Sequence, residues 1–235
     1  MIDRWKHLRV NLYGNVEPVV SLIGITTPGQ LDGGSFKPSS ALIQPVSLEA
    51  QVAQAASVST GVEPKDVLNL NQKLIQLGHH TPLEAIQYNF KVDGISKACS
   101  AQLSRHRISG HVSSSRRYQK QKEAFVYPIL EKVEDEAVAE TTYQILADIF
   151  KRSMLEYQRL QAYGLKKGDI RYLVPVASAC SRIWWINARS LRNFFNLRLH
   201  ESAEQEIRRL AFMLLFIVME ITPSLFLDLA HQHVK

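Results

Sequence analysis

Apolar and polar positions along this chain fall into two periods. Ile86, Tyr88, Phe90 and Val92 alternate with Gln87, Asn89, Lys91 and Asp93, and a period of two predicts a strand with one buried face. Gly94 is read as its end, after which Ile95, Ala98, Cys99, Gln102 and Leu103 recur at helical spacing. The β-branched run Val19–Ile25 predicts an earlier strand. Helices are expected over residues 48–58, 131–163, 187–199 and 203–221. Another is expected over 64–77, where Val67, Leu70, Leu74 and Leu77 share a face and Gly78 marks the stop. Residues 171–175 read as a connector ahead of the apolar run Ile183-Trp184-Trp185-Ile186. Residues 27–44, rich in Pro, Gly and Ser, read as a long surface excursion and not an interdomain linker, because too little chain precedes them.

The totals narrow the class. A chain of 235 residues, 46% apolar and 21% charged, suits one globular domain. A net charge of +6 favours anionic partners such as nucleotides, folate-like carboxylates or nucleic acid, without choosing among them. Cys99 and Cys180 belong to no CxxC pair, so neither a zinc site nor a disulfide framework is expected. Residues 1–6 carry no apolar core after their charges, and the longest apolar run, 210–219, is about half the ~20 residues needed to span a bilayer. A soluble cytoplasmic protein is the expectation. The chain has neither GxGxxG nor GxxxxGK, so Rossmann and P-loop readings lose their main support.

The densest chemistry lies between Arg105 and Arg117. Arg105-His106-Arg107 leads into a Ser/Gly-rich stretch ending Ser113-Ser114-Ser115-Arg116-Arg117, with no Asp or Glu among them. Guanidinium groups offer planar paired donors and hydroxyls fill the gaps, a combination suited to phosphate and carbonyl oxygens. The stretch is read as a loop leaving a packed helix, with Gly110 allowing close backbone approach to a ligand. On the 187–199 helix, Asn187, Leu191, Phe194 and Arg198 fall on one stripe about 16 Å long at ~1.5 Å per residue. An arginine there must find an anionic or carbonyl partner, snorkel to water, or cap the helix's free carbonyls. His79-His80 fits turn chemistry better than chelation, and the positive charge around His106 and His111 disfavours a cation, so no metal site is expected. Cys99 falls on the buried face, and neither cysteine has a neighbouring base to make it a nucleophile.

Together these segments resemble the flavin-dependent thymidylate synthases. The family's hallmark, Arg-His-Arg, seven residues, then Ser, stands here as Arg105-His106-Arg107 through Ser115, followed by Arg117-Tyr118 and preceded by Gln102. Gly78-His79-His80-Thr81-Pro82-Leu83-Glu84 is similar to the family's Gly-His-x-Ser/Thr-Pro-x-Glu. Asn187-Ala188-Arg189-Ser190-Leu191 and Asn193-Phe194-x-x-Leu197-Arg198 match its second signature. Arg171, four residues before Pro175, stands at a matching spacing. The resemblance covers roughly residues 16–226, with 27–44 as an insertion. Where many members have Ser-x-Asn-Glu, this chain has Gly110, His111, Val112 and Ser113, so contact with the substrate sugar falls outside what the resemblance supplies.

The resemblance implies an α+β fold: a central, mostly antiparallel sheet flanked by long helices, a single domain over 1–235, assembling as a homotetramer with shared active sites. It implies methylation of dUMP at C5, with methylenetetrahydrofolate as carbon donor and FAD, reduced by NADPH, as hydride carrier. It assigns Arg198 to activation of the pyrimidine. Thr81, Arg105, His106, Arg107, Ser113, Asn187, Arg189 and Asn193 are assigned to the flavin. Gln102, Arg105, Ser113, Ser115, Arg117, Arg171 and Arg198 are assigned to the nucleotide. The alternatives are C5 methylation of UMP or another pyrimidine nucleotide, a flavin-binding relative without activity, and a basic nucleic-acid-binding protein. No nucleic-acid or membrane partner is expected under the favoured reading.

Overall fold

The computed structural model describes residues 18–25, 29–32, 35–38, 45–62, 65–119, 123–130 and 133–233. In chain order its elements are β1 (Val19–Ile25), β2 (Gly29–Asp32), β3 (Ser35–Pro38), α1 (Pro45–Thr60), α2 (Val67–Gln76), β4 (Gln87–Ser96), α3 (Lys97–Leu103), β5 (Gly110–Ser113), α4 (Glu136–Ala162), α5 (Lys167–Ile170), β6 (Ala179–Asn187), α6 (Ala188–Arg198), α7 (Gln205–Ile221) and α8 (Leu227–His233). Four strands form one sheet in the order β1-β4-β6-β5, antiparallel throughout, and β2 and β3 form a separate hairpin. This is the expected α+β arrangement.

The alternation at the start of β4 does what its period demands. Tyr88, Phe90 and Val92 are fully buried, and β6 places Ile186, Trp184 and Arg182 opposite them. Helices α1, α6 and α7 cover that face with Leu48, Val52, Leu191, Phe194, Phe195, Leu210 and Leu214. Each such large apolar side chain contributes roughly 1.5–3 kcal/mol by leaving water. A second cluster lies under α4, where Phe150, Met154 and Tyr157 meet Phe125, Tyr127, Ile170 and Val174. The Asp135 carboxylate starts α4 by accepting from the backbone N–H groups of Ala137 and Val138 at 2.8 and 3.3 Å.

Two local expectations are corrected. Gly94 does not end its strand. It sits at φ +73°, and the β4–β6 register shifts by one residue between Val92↔Arg182 and Ile95↔Cys180, so the strand passes through a bulge and continues to Ser96. The stretch after Arg107 is not all loop either, since residues 110–113 pair with β6 as an edge strand. Within the expected excursion at 27–44 the structure places the β2–β3 hairpin, and residues 27–28, 33–34 and 39–44 lie outside the described residues, as do residues 1–17. Among the described residues no helix is long and apolar enough to cross a membrane.

Candidate functional site

The end of α3 and the length of α6 create the site. After Leu103 the chain tightens into a turn, with Arg105 N–H donating to the Gln102 carbonyl and His106 N–H to that of Leu103. The turn delivers Arg105-His106-Arg107 against α6. Asn187 caps α6, its Oδ1 accepting from Ser190 N–H at 2.8 Å. Leu191, Phe194 and Phe195 bury the inner face of α6. Arg192 ties α6 to α8 through paired bonds to the Asp228 carboxylate at 2.8 and 2.6 Å. Rotation about the α6 axis is thereby fixed, and the other side of α6 faces a cleft of about 780 Å³. Six expected site residues line it: Arg105, His106, Arg107, Arg189, Asn193 and Arg198. Its volume falls in the range of small-molecule sites, roughly 300–1,000 Å³.

His106 joins the two signature segments, touching both Arg198 and Phe194. Arg198 Nε–H donates to His106 Nε2 at 3.1 Å, which puts the imidazole proton on Nδ1. The imidazole also stands edge-on to Phe194, with centroids 4.9 Å apart and planes at 73°. Burial, and then the positive charge of Arg198, push the His106 pKa down to about 4. The ring is therefore a neutral acceptor at physiological pH. It holds the guanidinium by its Nε edge, and both Nη groups of Arg198 have no partner among the described residues, at the lining of the cleft. Nearby, Glu84 and Arg189 pair at 2.6 Å, both about half exposed, so the pair fixes a position more than it adds stability.

The remaining expected residues lie elsewhere. Thr81 opens the 3-10 turn Thr81–Ala85 beside the cleft without lining it. The Asn187 side-chain oxygen is occupied as the α6 cap. The Gln102 amide donates to the Glu204 carboxylate, away from the cleft. Ser113 Oγ accepts from Arg182 Nε–H at 3.0 Å. Ser115, Arg117 and Arg171 form a second group. The turn at 115–118 is tied to the connector before β6 by Arg116, which donates to the Val174 and Pro175 carbonyls, and by Lys167, which donates to the Tyr118 carbonyl. Gly110 serves the fold before any ligand, because a Cβ there would run into the Trp185 indole. Sequence reasoning missed His80 and Glu84 as cleft residues, and it missed Arg182. Arg182 carried a usable signal: it stands in phase with Cys180, Trp184 and Ile186, where alternation calls for an apolar residue.

The model of the family described as "Thymidylate synthase complementing protein" matches residues 41–224, which hold both signature segments and the whole lining of the cleft. This chain belongs to the flavin-dependent thymidylate synthase family. It is similar to a flavin-dependent thymidylate synthase of Geobacter sulfurreducens, 33% identical over 191 residues, 77% of this chain and 81% of that relative. A Pyrococcus abyssi relative of the same name is 33% identical over 152 residues, and the match spans 59% of its length. Among solved structures, the UMP/dUMP methylase PolB from Streptomyces cacaoi, bound with 5-Br dUMP, shares the fold. Its TM-score is 0.74 at 21% identity, over 91% of this chain and 96% of that one. Membership in the flavin-dependent thymidylate synthase family makes the chain an enzyme of methyl transfer.

Proposed function

We propose that this chain methylates dUMP at C5, with FAD in the cleft, methylenetetrahydrofolate as carbon donor and NADPH as reductant. The donor set fits the flavin. Arg105, Arg107 and Arg189 bring paired guanidinium donors suited to a diphosphate, and Asn193 adds an amide able to read a ring edge. When bound, the flavin supplies hydride chemistry. His106 orients Arg198, and Thr81 and Asn187 flank the cleft.

The observation that carries the reading is the His106–Arg198 pair. C5 of a uracil becomes nucleophilic when negative charge gathers on its N3/O4 side. Moving a proton equilibrium by two or three units takes roughly 3–4 kcal/mol. One charge-assisted hydrogen bond supplies about 1.5–3 kcal/mol. A guanidinium held at its Nε edge, with two amino groups presented together, comes close to that requirement, whereas a freely rotating surface lysine falls short. No thiol enters: Cys99 and Cys180 are both buried, and burial pushes the Cys99 pKa up. Arg198→Ala should cut methylation by about a hundredfold or more while leaving the flavin absorbance of the purified protein in place. Undiminished turnover would remove Arg198 from the chemistry, and a colourless wild-type protein would remove the flavin.

The nucleotide is held, in this reading, by Gln102, Arg105, Ser113, Ser115, Arg117 and Arg171. Several of these lie off the cleft of their own chain, which supports a homotetramer whose sites combine residues of different subunits. Val138, Ile145 and Ile149, all more than half exposed, form a stripe on α4 available for such assembly. Free thiols and the lack of a long apolar helix among the described residues support a cytoplasmic setting. A second reading, C5 methylation of UMP, is favoured by the departure at 110–113, where a carboxylate that would contact the ligands is replaced by Ser113. Comparing turnover of dUMP and UMP decides between them.

A further inference from the structure

Arg182 has no part in the chemistry above, yet its surroundings are unusual. It is 5% exposed and stands on the core face of β6, opposite Val92. Its Nε–H donates to Ser113 Oγ at 3.0 Å and one amino group donates to Ser104 Oγ at 2.8 Å. The other amino group is buried with no hydrogen-bond partner among the described residues. Two further cations are close. Lys97 donates to the Ser114 carbonyl at 3.2 Å, and Arg116 gives both amino groups to the carbonyls of Val174 and Pro175. Burial first, with Arg116 and Arg182 adding to it, holds the Lys97 ammonium below its usual range. Every partner named is neutral, and among the described residues none of the three cations forms an ion pair. Arg182 is buried and Lys97 and Arg116 are half-buried, and charge drawn out of water without a counter-charge is unfavourable, so this cluster suits an incoming anion.

The hydroxyls give the direction of recognition. Ser104 Oγ accepts from Arg182 and spends its proton on the Ser100 carbonyl at 3.0 Å. Ser113 Oγ also accepts from Arg182, but its proton has no acceptor among the described residues. Ser113 therefore presents a donor, backed by a guanidinium with an N–H pair to spare. Such a group recognises an acceptor oxygen and not a hydroxyl that needs to donate.

We propose that Lys97, Ser113 and Arg182, at the β5–β6 edge, form an oxyanion-binding site for the phosphate or carboxylate group of a small-molecule ligand. The site shares Ser113 with the nucleotide set proposed above but none of Ser115, Arg117 and Arg171, and its test is independent of flavin and turnover. Calorimetric titration of the full chain with inorganic phosphate, and separately with glutarate, is done in an Arg117→Ala background to weaken that neighbouring group. One of the two anions binds, and its affinity falls about tenfold in Arg182→Met and several-fold in Ser113→Ala. Loss of phosphate assigns a phosphate ester as ligand, and loss of glutarate assigns a carboxylate. Unchanged affinity in an Arg182→Met protein that melts cooperatively overturns the site, as does failure of both anions to bind at millimolar concentration. Should Arg182→Met not fold, Lys97→Met and Ser113→Ala decide the matter, and full affinity in both rejects it. A colourless or inactive protein would count against the methylase reading and leave this outcome standing.

Discussion

A neutral imidazole that steadies a guanidinium is sensitive to acid. In the unfolded chain His106 protonates near its ordinary value of about 6.5, whereas in the fold its pKa is pushed down to about 4. Between those values the unfolded state binds a proton that the folded state refuses. The contribution of His106 to stability is therefore full above about pH 6.5 and is lost as pH falls toward 4. His106→Gln, whose amide oxygen can still accept from Arg198, should show a shallower decline of the urea midpoint between pH 6.5 and 4 than the parent chain. Parallel declines would show that the imidazole is not the titrating group. At this scale the sequence was partly legible. The Arg-His-Arg run stood out by composition, but its partner Arg198 lies 92 residues away, and no local pattern couples positions so distant. Ser113 was visible as a departure, while its bond to Arg182 arises only from the pairing of β5 with β6.

Among the elements, α6 carries the cleft, and the residue just before it does two jobs. Asn187 ends β6 and caps α6. Asn187→Ala should remove about 1 kcal/mol of stability and lower the melting temperature by roughly 2–4 °C for a chain of this size, with Asn187→Asp close to neutral. An alanine variant as stable as its parent would mean that packing alone holds the helix start. The long periodic elements were readable because each has a buried face: β4 from Tyr88, Phe90 and Val92, α6 from Leu191 and Phe194, α7 from Leu210 and Leu214. β5 was not, because a four-residue edge strand reading Gly-His-Val-Ser has no apolar alternation and owes its conformation to β6. Gly94 misled for a definite reason. Plain alternation from Val92 would turn Ile95 outward, and the extra residue at the bulge reverses the parity so that Ile95 is fully buried.

Across the whole molecule, the cleft gathers only part of the ligand-binding candidates. Arg107 and Arg198 line the cleft, whereas Arg117 and Arg171 do not. If subunits complete one another's sites, mixing inactive Arg198→Ala with inactive Arg117→Ala chains, after dissociation and reassembly, should restore a measurable fraction of activity. Mixtures that stay as inactive as their components would place both arginines in the service of the same subunit's site. The separation of the two apolar clusters has a consequence of its own. The cluster under α4 shares no residue with the one behind the sheet. Amide protons along α4 should therefore exchange with deuterated solvent well ahead of those in β4 and β6, the molecule loosening its long arm while the body that shelters the cleft stays shut.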